Sequence, residues 1–250
     1  MTNPVNDWVF CPKPDPQAQF RLFCFPFSGG GAAVFRAWAD LLPANVELCA
    51  VRLPGRETRF RETPFNRLAS LVAAAAEGLS PYMDKPFAFF GHSLGALISY
   101  ALAQYLRQQQ AVQPYHLFVS GHRAPHRPPL HPPVHQADET TFLNRLRRLG
   151  GTSPKFFEMP ELIEMMLPML RADFAIWETY RHEAQAPLTY PITAFGSEQD
   201  SEAKTADMEA WREHTVGTFS LHMFPGGHFY WQDRLPQLLT LVSRDLSLAF

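Results

Sequence analysis

The chain has 250 residues, 46% of them hydrophobic and 18% charged, and its formal net charge is −2. This length and apolar content suffice for one large domain with a substantial core, or for a domain that carries an insertion. The nearly balanced charge argues against a nucleic-acid-binding surface and against a disordered acidic tail.

Signals for targeting, membrane insertion and metal binding are absent from the sequence. The stretch "MTNPVNDWVFCPKPDP" lacks the basic and apolar regions of a signal peptide, and no apolar run reaches the roughly 18 residues of a membrane span. The three cysteines, Cys11, Cys24 and Cys49, fit no metal-ligand spacing. We therefore expect a soluble, cytoplasmic protein without membrane or nucleic-acid partners, whose cysteines are free thiols, mostly buried.

Short apolar runs alternate with helical stretches from about residue 20, and this β-α-β order predicts a doubly wound α/β sheet. The runs are apolar almost throughout, which predicts mostly parallel strands buried on both faces. The predicted strands are "FRLFCFPF", "VELCAVRLPG", "FAFF", "YHLFVSG", "YPITAFGSEQD" and "FSLHMF". The predicted helices between them are "GGGAAVFRAWADLLP", "FNRLASLVAAAAEGL", "ALISYALAQYLRQQQ", "DMEAWREHT" and a final helix from Pro236.

The alternation breaks at the proline-rich stretch 122–136, which cannot continue a helix or a central strand. Sheet signals resume only near residue 189. We therefore predict a helical insertion over residues 126–188 in a core built from residues 1–125 and 189–250. Because ligands of such folds bind at the carboxyl edge of the sheet, we expect the insertion to cover that edge as a lid.

Two helices are predicted inside the insertion. "DETTFLNRLRRLGG" begins with a capping residue, Asp138, and stops at Gly150. "PELIEMMLPMLRADFAIWETY" follows, and Pro168 predicts a kink within it.

Ser93 lies between Gly91 and Gly95 in "PFAFFGHSLGALISY", residues 86–100. A G-x-S-x-G pattern alone carries little information, but here it follows a buried strand and opens a helix, as a nucleophile elbow does. Such a turn projects the serine hydroxyl from the sheet edge, and flanking glycines avoid collisions with neighbouring strands. The next amide, that of Leu94, points into the same space at a helix N-terminus, which favours developing negative charge.

A serine nucleophile needs a histidine base, and the base needs an orienting carboxylate. His228, in "FPGGHFY", directly follows the last strand on a glycine-rich loop, which favours it as the base. His222 lies within the preceding strand, and His214 ends a helix.

Asp200 directly follows the penultimate strand, which makes it the favoured acid. Glu198, two residues earlier, is the alternative, and Asp207 lies in the following helix.

The loop "PFSGGG" after the first long strand offers backbone N–H groups at Ser28 and Gly29 for a second oxyanion donor. It matches neither the G-x-G-x-x-G pattern nor the P-loop pattern, so a dinucleotide or nucleotide phosphate is not expected there.

The sequence as a whole resembles type II (external) thioesterases, which accompany polyketide synthases and non-ribosomal peptide synthetases. The resemblance runs from about residue 20 to the end of the chain. The motifs that carry it are "FPFSGGG", "VRLPGRETRF", "FFGHSLGALISY", "HLFVSGHRAPH", "LPMLRADFAIWETYRHE", "EAWREHT" and "FPGGHFY".

The resemblance implies an α/β-hydrolase fold with a mobile helical lid. It also implies Ser93 as the nucleophile, Asp200 as the acid and His228 as the base, with the oxyanion bound by the N–H groups of Ser28 and Leu94. Many relatives have alanine at the position of Ser28, but a backbone donor serves with either side chain. No cofactor or metal is implied.

The substrates implied by the resemblance are acyl groups on the phosphopantetheine arms of acyl or peptidyl carrier proteins, or acyl-CoA. Removal of stalled or incorrect acyl groups is the task of this family, and we expect a monomer. Two alternatives remain open on the residues alone. The triad does not distinguish a thioester from a carboxylic ester, and a non-catalytic accessory subunit could bind carrier proteins.

Four arginines crowd the stretch "VRLPGRETRFRE", namely Arg52, Arg56, Arg59 and Arg61. They could contact the phosphate of a pantetheine arm or an acidic carrier protein. Local pairing with Glu57 and Glu62 is the favoured alternative.

Two further clusters lie in or beside the insertion. For the histidines His122, His126, His131 and His135, a solvated loop is favoured over a metal site, because prolines prevent a helical face. The methionines Met159, Met165, Met166 and Met169 could form a pliable acyl-binding wall, or simply pack the insertion on the core.

Overall fold

Seven strands form one sheet in the computed structural model, which describes residues 6–247. The strands are β1 (Val9–Phe10), β2 (Phe20–Phe25), β3 (Val46–Val51), β4 (Phe87–His92), β5 (Leu117–Ser120), β6 (Ile192–Ser197) and β7 (Phe219–Phe224). Their order is β1-β3-β2-β4-β5-β6-β7, and every pair is parallel except β1 with β3. The predicted mostly parallel, doubly wound sheet is confirmed.

The described residues also form six α-helices: α1 (Leu68–Leu79), α2 (Leu94–Gln108), α3 (Glu139–Leu149), α4 (Pro160–Glu178), α5 (Thr205–Glu209) and α6 (Leu235–Ser247). Shorter 3-10 helices span Ala32–Asp40, Glu57–Arg59, Ser80–Tyr82, Pro154–Glu158, Ala210–His214 and Tyr230–Gln232. None of the helices in the described range combines the length and the apolar content that a membrane span requires.

Side chains of β2 alternate between two apolar layers, because successive residues of a strand point to opposite faces. Phe23 and Phe25 pack in the layer that contains residues of α1 and α2. Leu22 and Cys24 pack in the layer that contains residues of α6 and of the 3-10 helix Ala32–Asp40. Cover on both faces explains why an almost continuous apolar run was needed here.

Three local predictions differ from the structure. The helix expected after β2 is a 3-10 helix, whose first N–H groups, those of Ala32 and Ala33, donate to the Glu57 carboxylate. The helix "DMEAWREHT" is divided into α5 and a 3-10 turn. β1 lies in a stretch that carried no strand signal, because its two residues pair only with the edge of β3.

The segment between β5 and β6 is helical and has a small apolar core of its own. Asp138 accepts a hydrogen bond from the N–H of Thr141 (3.0 Å) and caps α3, and Gly150 ends that helix at φ 78°. Both predicted helix boundaries are therefore confirmed, and α4 continues through Pro168. The apolar core of this segment contains Phe142, Leu143, Leu146, Phe156, Ile163, Met169, Leu170 and Phe174.

All three cysteines are free thiols, as predicted. Cys24 and Cys49 are buried in strands, and the Sγ atoms of Cys11 and Cys49 lie 3.6 Å apart. Burial raises the pKa of both buried thiols well above its ordinary value.

The turn between β4 and α2 brings two backbones into direct contact. A Cβ at Gly91 would overlap the carbonyl of Gly95, and a Cβ at Gly95 would overlap the carbonyl oxygen of Phe25. Ser93, between them, has φ 53° and ψ −119°, a conformation that L-residues rarely adopt. The glycines therefore allow the approach that holds the serine in its strained turn.

Replacing Gly95 with alanine should lower the free energy of unfolding by about 3 kcal/mol or more, because a backbone atom cannot move aside. The loss should appear although alanine is favoured over glycine in helices by about 1 kcal/mol. Urea unfolding measures it. Gly227→Ala is the control, since a Cβ there meets no atom within 4 Å. Equal effects of the two substitutions would contradict the steric explanation.

Two buried histidines are held neutral in the fold. His116 Nε2 lies 2.8 Å from Thr193 Oγ1, and His214 Nδ1 lies 2.9 Å from the hydroxyl of Tyr100. Burial lowers the pKa of each imidazole from its ordinary value of 6.5 to about 4, and at His214 nearby histidines lower it further. The unfolded chain therefore takes up protons at a higher pH than the folded chain does.

Stability should consequently be at its full value above pH 6.5 and should fall as the pH decreases from 6.5 to about 4. His116→Asn should reduce the loss between pH 7 and pH 5 by on the order of 1–2 kcal/mol. Urea unfolding at the two pH values measures this. The carboxylates contribute equally to the pH dependence of the wild type and of the variant, so their contribution cancels in the comparison. An unchanged difference between pH 7 and pH 5 would show that His116 is not held neutral.

Candidate active site

A cavity of about 390 Å³ opens beside the turn between β4 and α2, and Ser93 lines it. Ser28 and His228 line the same cavity, although they follow different strands. The helical segment contributes the remaining wall, with Leu146, Leu149, Phe174 and Trp177 among the lining side chains. Because β2, β4, β6 and β7 are parallel, the loops after them meet at one edge of the sheet, and this explains the convergence.

His228 is paired with Asp200. The imidazole Nδ1 lies 2.8 Å from Asp200 Oδ2, and both side chains are buried. Since a carboxylate only accepts hydrogen bonds, Nδ1 is the donor, and in the neutral imidazole Nε2 is then the acceptor. The other carboxylate oxygen of Asp200 accepts from the N–H of Glu202 (2.8 Å), which fixes the acid in turn.

The alternative acids and bases are placed elsewhere. Glu198 is exposed, and Asp207 pairs with Arg123 (3.1 Å). His222, in β7, stacks on Phe195 of β6, and His214 bonds to Tyr100. Of the candidates, Asp200 and His228 are the two that form a pair.

Ser93 and His228 share the cavity without being joined by a hydrogen bond. Within residues 6–247, the Ser93 hydroxyl has no hydrogen-bond partner, and it is half-buried. Catalytic hydrogen bonds commonly tighten only when substrate is bound, so this geometry is compatible with a serine–histidine pair.

The backbone N–H groups near Ser93 differ in whether they already donate a hydrogen bond. Leu94 is the first residue of α2, and its N–H and that of Ser28 donate to no group within the described part of the chain. The N–H of Gly29, in contrast, already donates to Asp173 Oδ2 (2.8 Å). Of the two amides predicted on this loop, that of Ser28 is therefore the one free to bind an oxyanion.

His92 lies directly beneath the pair, a contact that the sequence did not reveal. Its ring centroid is 5.0 Å from that of His228, and its Nδ1 lies 2.9 Å from Ser120 Oγ, which in turn lies 2.7 Å from the Tyr230 hydroxyl. Burial lowers the pKa of His92 well below its ordinary value, and the nearby histidines lower it further. A neutral imidazole therefore faces His228. In the sequence, the position of His92 directly before Ser93 is the one feature that could have indicated this contact.

The histidines of the 122–136 stretch are less solvated than predicted. His122 lines the cavity, and burial lowers its pKa to about 4. His126 Nδ1 lies 2.7 Å from His214 Nε2, and His135 Nδ1 lies 2.6 Å from a carboxylate oxygen of Glu178. These three residues lie in a loop, as predicted, but they are half-buried and not fully solvated, because the cavity and the side chains of His214 and Glu178 lie against them.

Among the described residues, one group of side chains has metal-like spacing: ligand atoms of Cys11, Glu47 and Cys49 lie within 4.8 Å of one another. The Glu47 carboxylate already accepts from Arg21 Nε (2.7 Å) and from the N–H of Asp15 (3.0 Å). The arginine cation opposes a metal cation there, and the group lies at the β1–β3 edge of the sheet.

Two of the four clustered arginines are buried and paired. Arg59 forms hydrogen bonds to both oxygens of Glu62 (2.8 and 2.6 Å), the local pairing that was favoured. Arg56 instead reaches Asp173, 117 residues away in sequence, at 2.7 and 2.8 Å. The guanidinium groups of Arg56 and Arg59 are thus bound to carboxylates and are not available to a phosphate. These two arginines therefore do not form a docking surface.

The four methionines of the helical segment are not among the residues that line the cavity. Met169 is buried in the apolar core of the segment, whereas Met159 and Met165 are exposed. The packing interpretation is therefore favoured over an acyl-binding wall.

Comparisons with known proteins show which family the chain resembles along its length. The family model described as "Thioesterase domain" matches residues 20–246. The chain is 43% identical over 242 residues to linear gramicidin dehydrogenase LgrE of Brevibacillus parabrevis, covering 96% of this chain and 92% of that protein. It is 40% identical over 245 residues to gramicidin S biosynthesis protein GrsT of Aneurinibacillus migulanus, covering 98% and 96%.

Among solved structures, the type II thioesterase BorB from the borrelidin biosynthetic cluster is similar with a TM-score of 0.87 and 32% identity. The match covers 97% of this chain and 99% of BorB. The resemblance read from the sequence motifs is thereby confirmed along nearly the whole chain, and so is the α/β-hydrolase fold. The chain belongs to the thioesterase family, and its relatives include type II thioesterases of antibiotic biosynthesis clusters.

Proposed function

We propose that this thioesterase hydrolyses acyl thioesters on the phosphopantetheine arms of carrier proteins, or on CoA. Its task would be to remove stalled or incorrect acyl groups during polyketide or non-ribosomal peptide synthesis. The observation that carries the catalytic part is the buried His228–Asp200 pair at 2.8 Å, which shares a cavity with Ser93 on its strained turn. The names of BorB and GrsT support the biosynthetic part.

In the acylation step, Ser93 Oγ attacks the thioester carbonyl carbon while His228 Nε2 takes the hydroxyl proton. Asp200 accepts from Nδ1 and stabilises the imidazolium that forms, without taking the proton itself. Neutral His92 matters here, because a second positive imidazole at 5.0 Å would oppose the charge on His228.

The carbonyl oxygen becomes an oxyanion in this step, and the N–H groups of Ser28 and Leu94 are the proposed donors. Each such donor typically contributes roughly 3 kcal/mol to transition-state stability. The N-terminus of α2, where Leu94 lies, adds a favourable partial positive charge.

The tetrahedral intermediate collapses when the carbon–sulfur bond breaks and the imidazolium returns its proton to the thiolate. The thiolate of a thiol with a pKa near 8.5 is a far better leaving group than an alkoxide. His228 then takes a proton from water, the resulting hydroxide attacks the acyl-serine, and the proton returns to Ser93 Oγ. The products are a carboxylic acid and a free thiol.

We propose that residues 126–188 act as a lid on a core formed by residues 1–125 and 189–250. Support comes from the cavity wall, to which α3 and α4 contribute Leu146, Phe174 and Trp177. These apolar side chains suit an acyl chain better than a charged group. A cytoplasmic monomer is the form that we propose for the active enzyme.

LgrE is named a dehydrogenase, which raises an oxidoreductase as a second candidate. The sequence contains no G-x-G-x-x-G pattern, and its glycine-rich loop is tied to Asp173 through the Gly29 N–H. Carboxylic ester hydrolysis and a non-catalytic carrier-binding role are the competing hypotheses that the sequence left open. Each differs from thioester hydrolysis in a measurable way.

Ser93→Ala and His228→Ala should each lower kcat for acyl-carrier protein by at least about 10³-fold, and Asp200→Asn by roughly 10²–10⁴-fold. The three variants remove, in turn, the nucleophile, the base and the charge that orients the base. Ser70→Ala, on the exposed side of α1, is the matched control and should retain activity. A Ser93→Ala enzyme with undiminished turnover would rule out the proposed nucleophile.

A fluorophosphonate should label Ser93 and give the corresponding mass increase on the peptide that contains it. The wild-type enzyme should hydrolyse acyl-carrier proteins or acyl-CoA in preference to oxyesters of the same acids. Preference for oxyesters would support the carboxylic ester hydrolase, and failure of folded protein to react with the probe would support the binding subunit.

A further inference from the structure

Asp173 is a charged side chain buried where α4 meets the loop after β2. Only 1% of its surface is exposed, and 5% of that of Arg56. The carboxylate accepts two hydrogen bonds from the Arg56 guanidinium, at 2.7 and 2.8 Å, and a third from the N–H of Gly29 at 2.8 Å. Burying an ion pair carries a desolvation cost, which only well-oriented partners offset. The three short bonds to Asp173 therefore fix the groups that donate them.

Arg56 also contacts the same loop, which is therefore held at two peptide units, Ser28–Gly29 and Gly30–Gly31. Its Nη1 donates to the carbonyl oxygen of Gly30 (3.1 Å), while Asp173 accepts from the N–H of Gly29. The N–H of Gly30 donates to the carbonyl of Phe27 (2.8 Å), which closes a turn with Ser28 and Gly29 at its centre. Gly29 has φ 80°, as the third residue of a type II turn requires.

The turn leaves the N–H of Ser28 free at the cavity, while the peptide unit that follows is fixed by the ion pair. Glu57, next to Arg56 in sequence, holds the continuation of the loop through the N–H groups of Ala32 and Ala33 (3.0 and 2.9 Å). Rotation of the Ser28–Gly29 peptide unit would break the bond to Asp173. The Ser28 N–H belongs to the preceding unit, Phe27–Ser28, whose carbonyl accepts from the Gly30 N–H. Release of the Ser28–Gly29 unit would loosen this turn, so the direction of the Ser28 N–H depends on the ion pair through the turn.

We infer that Asp173 and Arg56 are positioning residues that hold the Ser28 N–H at the oxyanion site. The inference rests on the proposed role of that amide. A donor stabilises a developing oxyanion only when it is already oriented, so a loop that moves freely would lower kcat rather than substrate affinity. Because Asp173 belongs to α4, the inference also links the docking of the helical segment to the competence of the oxyanion site.

A purely structural role for the ion pair makes a different prediction. If the pair only fastened α4 to the core, its loss would lower stability and alter the cavity wall that α4 supplies. Binding of substrate and product would weaken, and transition-state analogues would lose affinity in the same proportion. The two roles therefore differ in how kcat, KM and analogue binding change together.

The test uses three variants and one matched control in the full-length enzyme. Asp173→Asn keeps the shape but loses the charge, and Arg56→Lys keeps the charge but loses the two parallel bonds. The double variant R56M/D173L removes both charges, which is often neutral for stability, but it cannot accept from Gly29. Glu62→Gln is the control, because it breaks the Arg59–Glu62 pair in the same segment, which makes no contact with the loop.

We expect the three variants to lower kcat by roughly 10–100-fold with KM changed less than about 3-fold, while Glu62→Gln keeps both near wild-type values. An alkyl boronic acid, which forms a tetrahedral adduct with the serine, should lose affinity in parallel with kcat. The inhibition constant of the carboxylic acid product should stay constant. Thermal unfolding identifies which variants are folded. If some of the three do not fold, the comparison with Glu62→Gln uses the variants that do.

Unchanged kcat in the folded variants would overturn the inference, and so would equal losses for the boronic acid and the product acid. Failure of the proposed function gives a different result, because the wild-type enzyme itself would then not cleave thioesters. The rate of fluorophosphonate labelling separates the cases, since it needs the oxyanion site but no thioester. Slower labelling of the variants than of Glu62→Gln supports the inference for any serine hydrolase substrate, and equal rates contradict it.

Discussion

The contact between the backbones of β2, β4 and α2 is the constraint on which the site depends. Gly91 and Gly95 allow α2 to start so close to the sheet that a side chain at either position would overlap a carbonyl group. That approach holds Ser93 at φ 53° and leaves the Leu94 N–H at the start of a helix, without an acceptor among the described residues. The strain is maintained because the sheet around it is buried on both faces and cannot relax.

The charges of the site are arranged by burial as much as by pairing. The Asp200–His228 pair keeps one proton on Nδ1, and the rings beneath it, above all His92, are kept neutral by the apolar layer around them. Burial likewise raises the pKa of Tyr230 above its ordinary value, so the chain from His92 through Ser120 to Tyr230 carries no charge. The proposed imidazolium at His228 would therefore meet one carboxylate and no competing cation among these groups.

The helical segment between β5 and β6 contributes both to the cavity and to the loop after β2. Its α4 supplies apolar side chains to the cavity wall and, through Asp173, a carboxylate that reaches into the loop after β2. The same loop is held from the other side by Glu57. The segment and the loop are thus joined by charged, buried contacts in an otherwise apolar interface, where a displaced partner would leave an unpaired charge.

The sequence by itself determined most of the features that depend on neighbours along the chain. Apolar runs located the long strands, Asp138 and Gly150 located the ends of α3, and the local pattern located the turn at Ser93, because backbone conformation and capping are short-range effects. Position after a strand also ranked Asp200 above Glu198. Only the tertiary structure decided which distant groups meet: Arg56 pairs with Asp173 across 117 residues rather than with adjacent Glu57, since burial in a shared interface, not sequence distance, selects the partner.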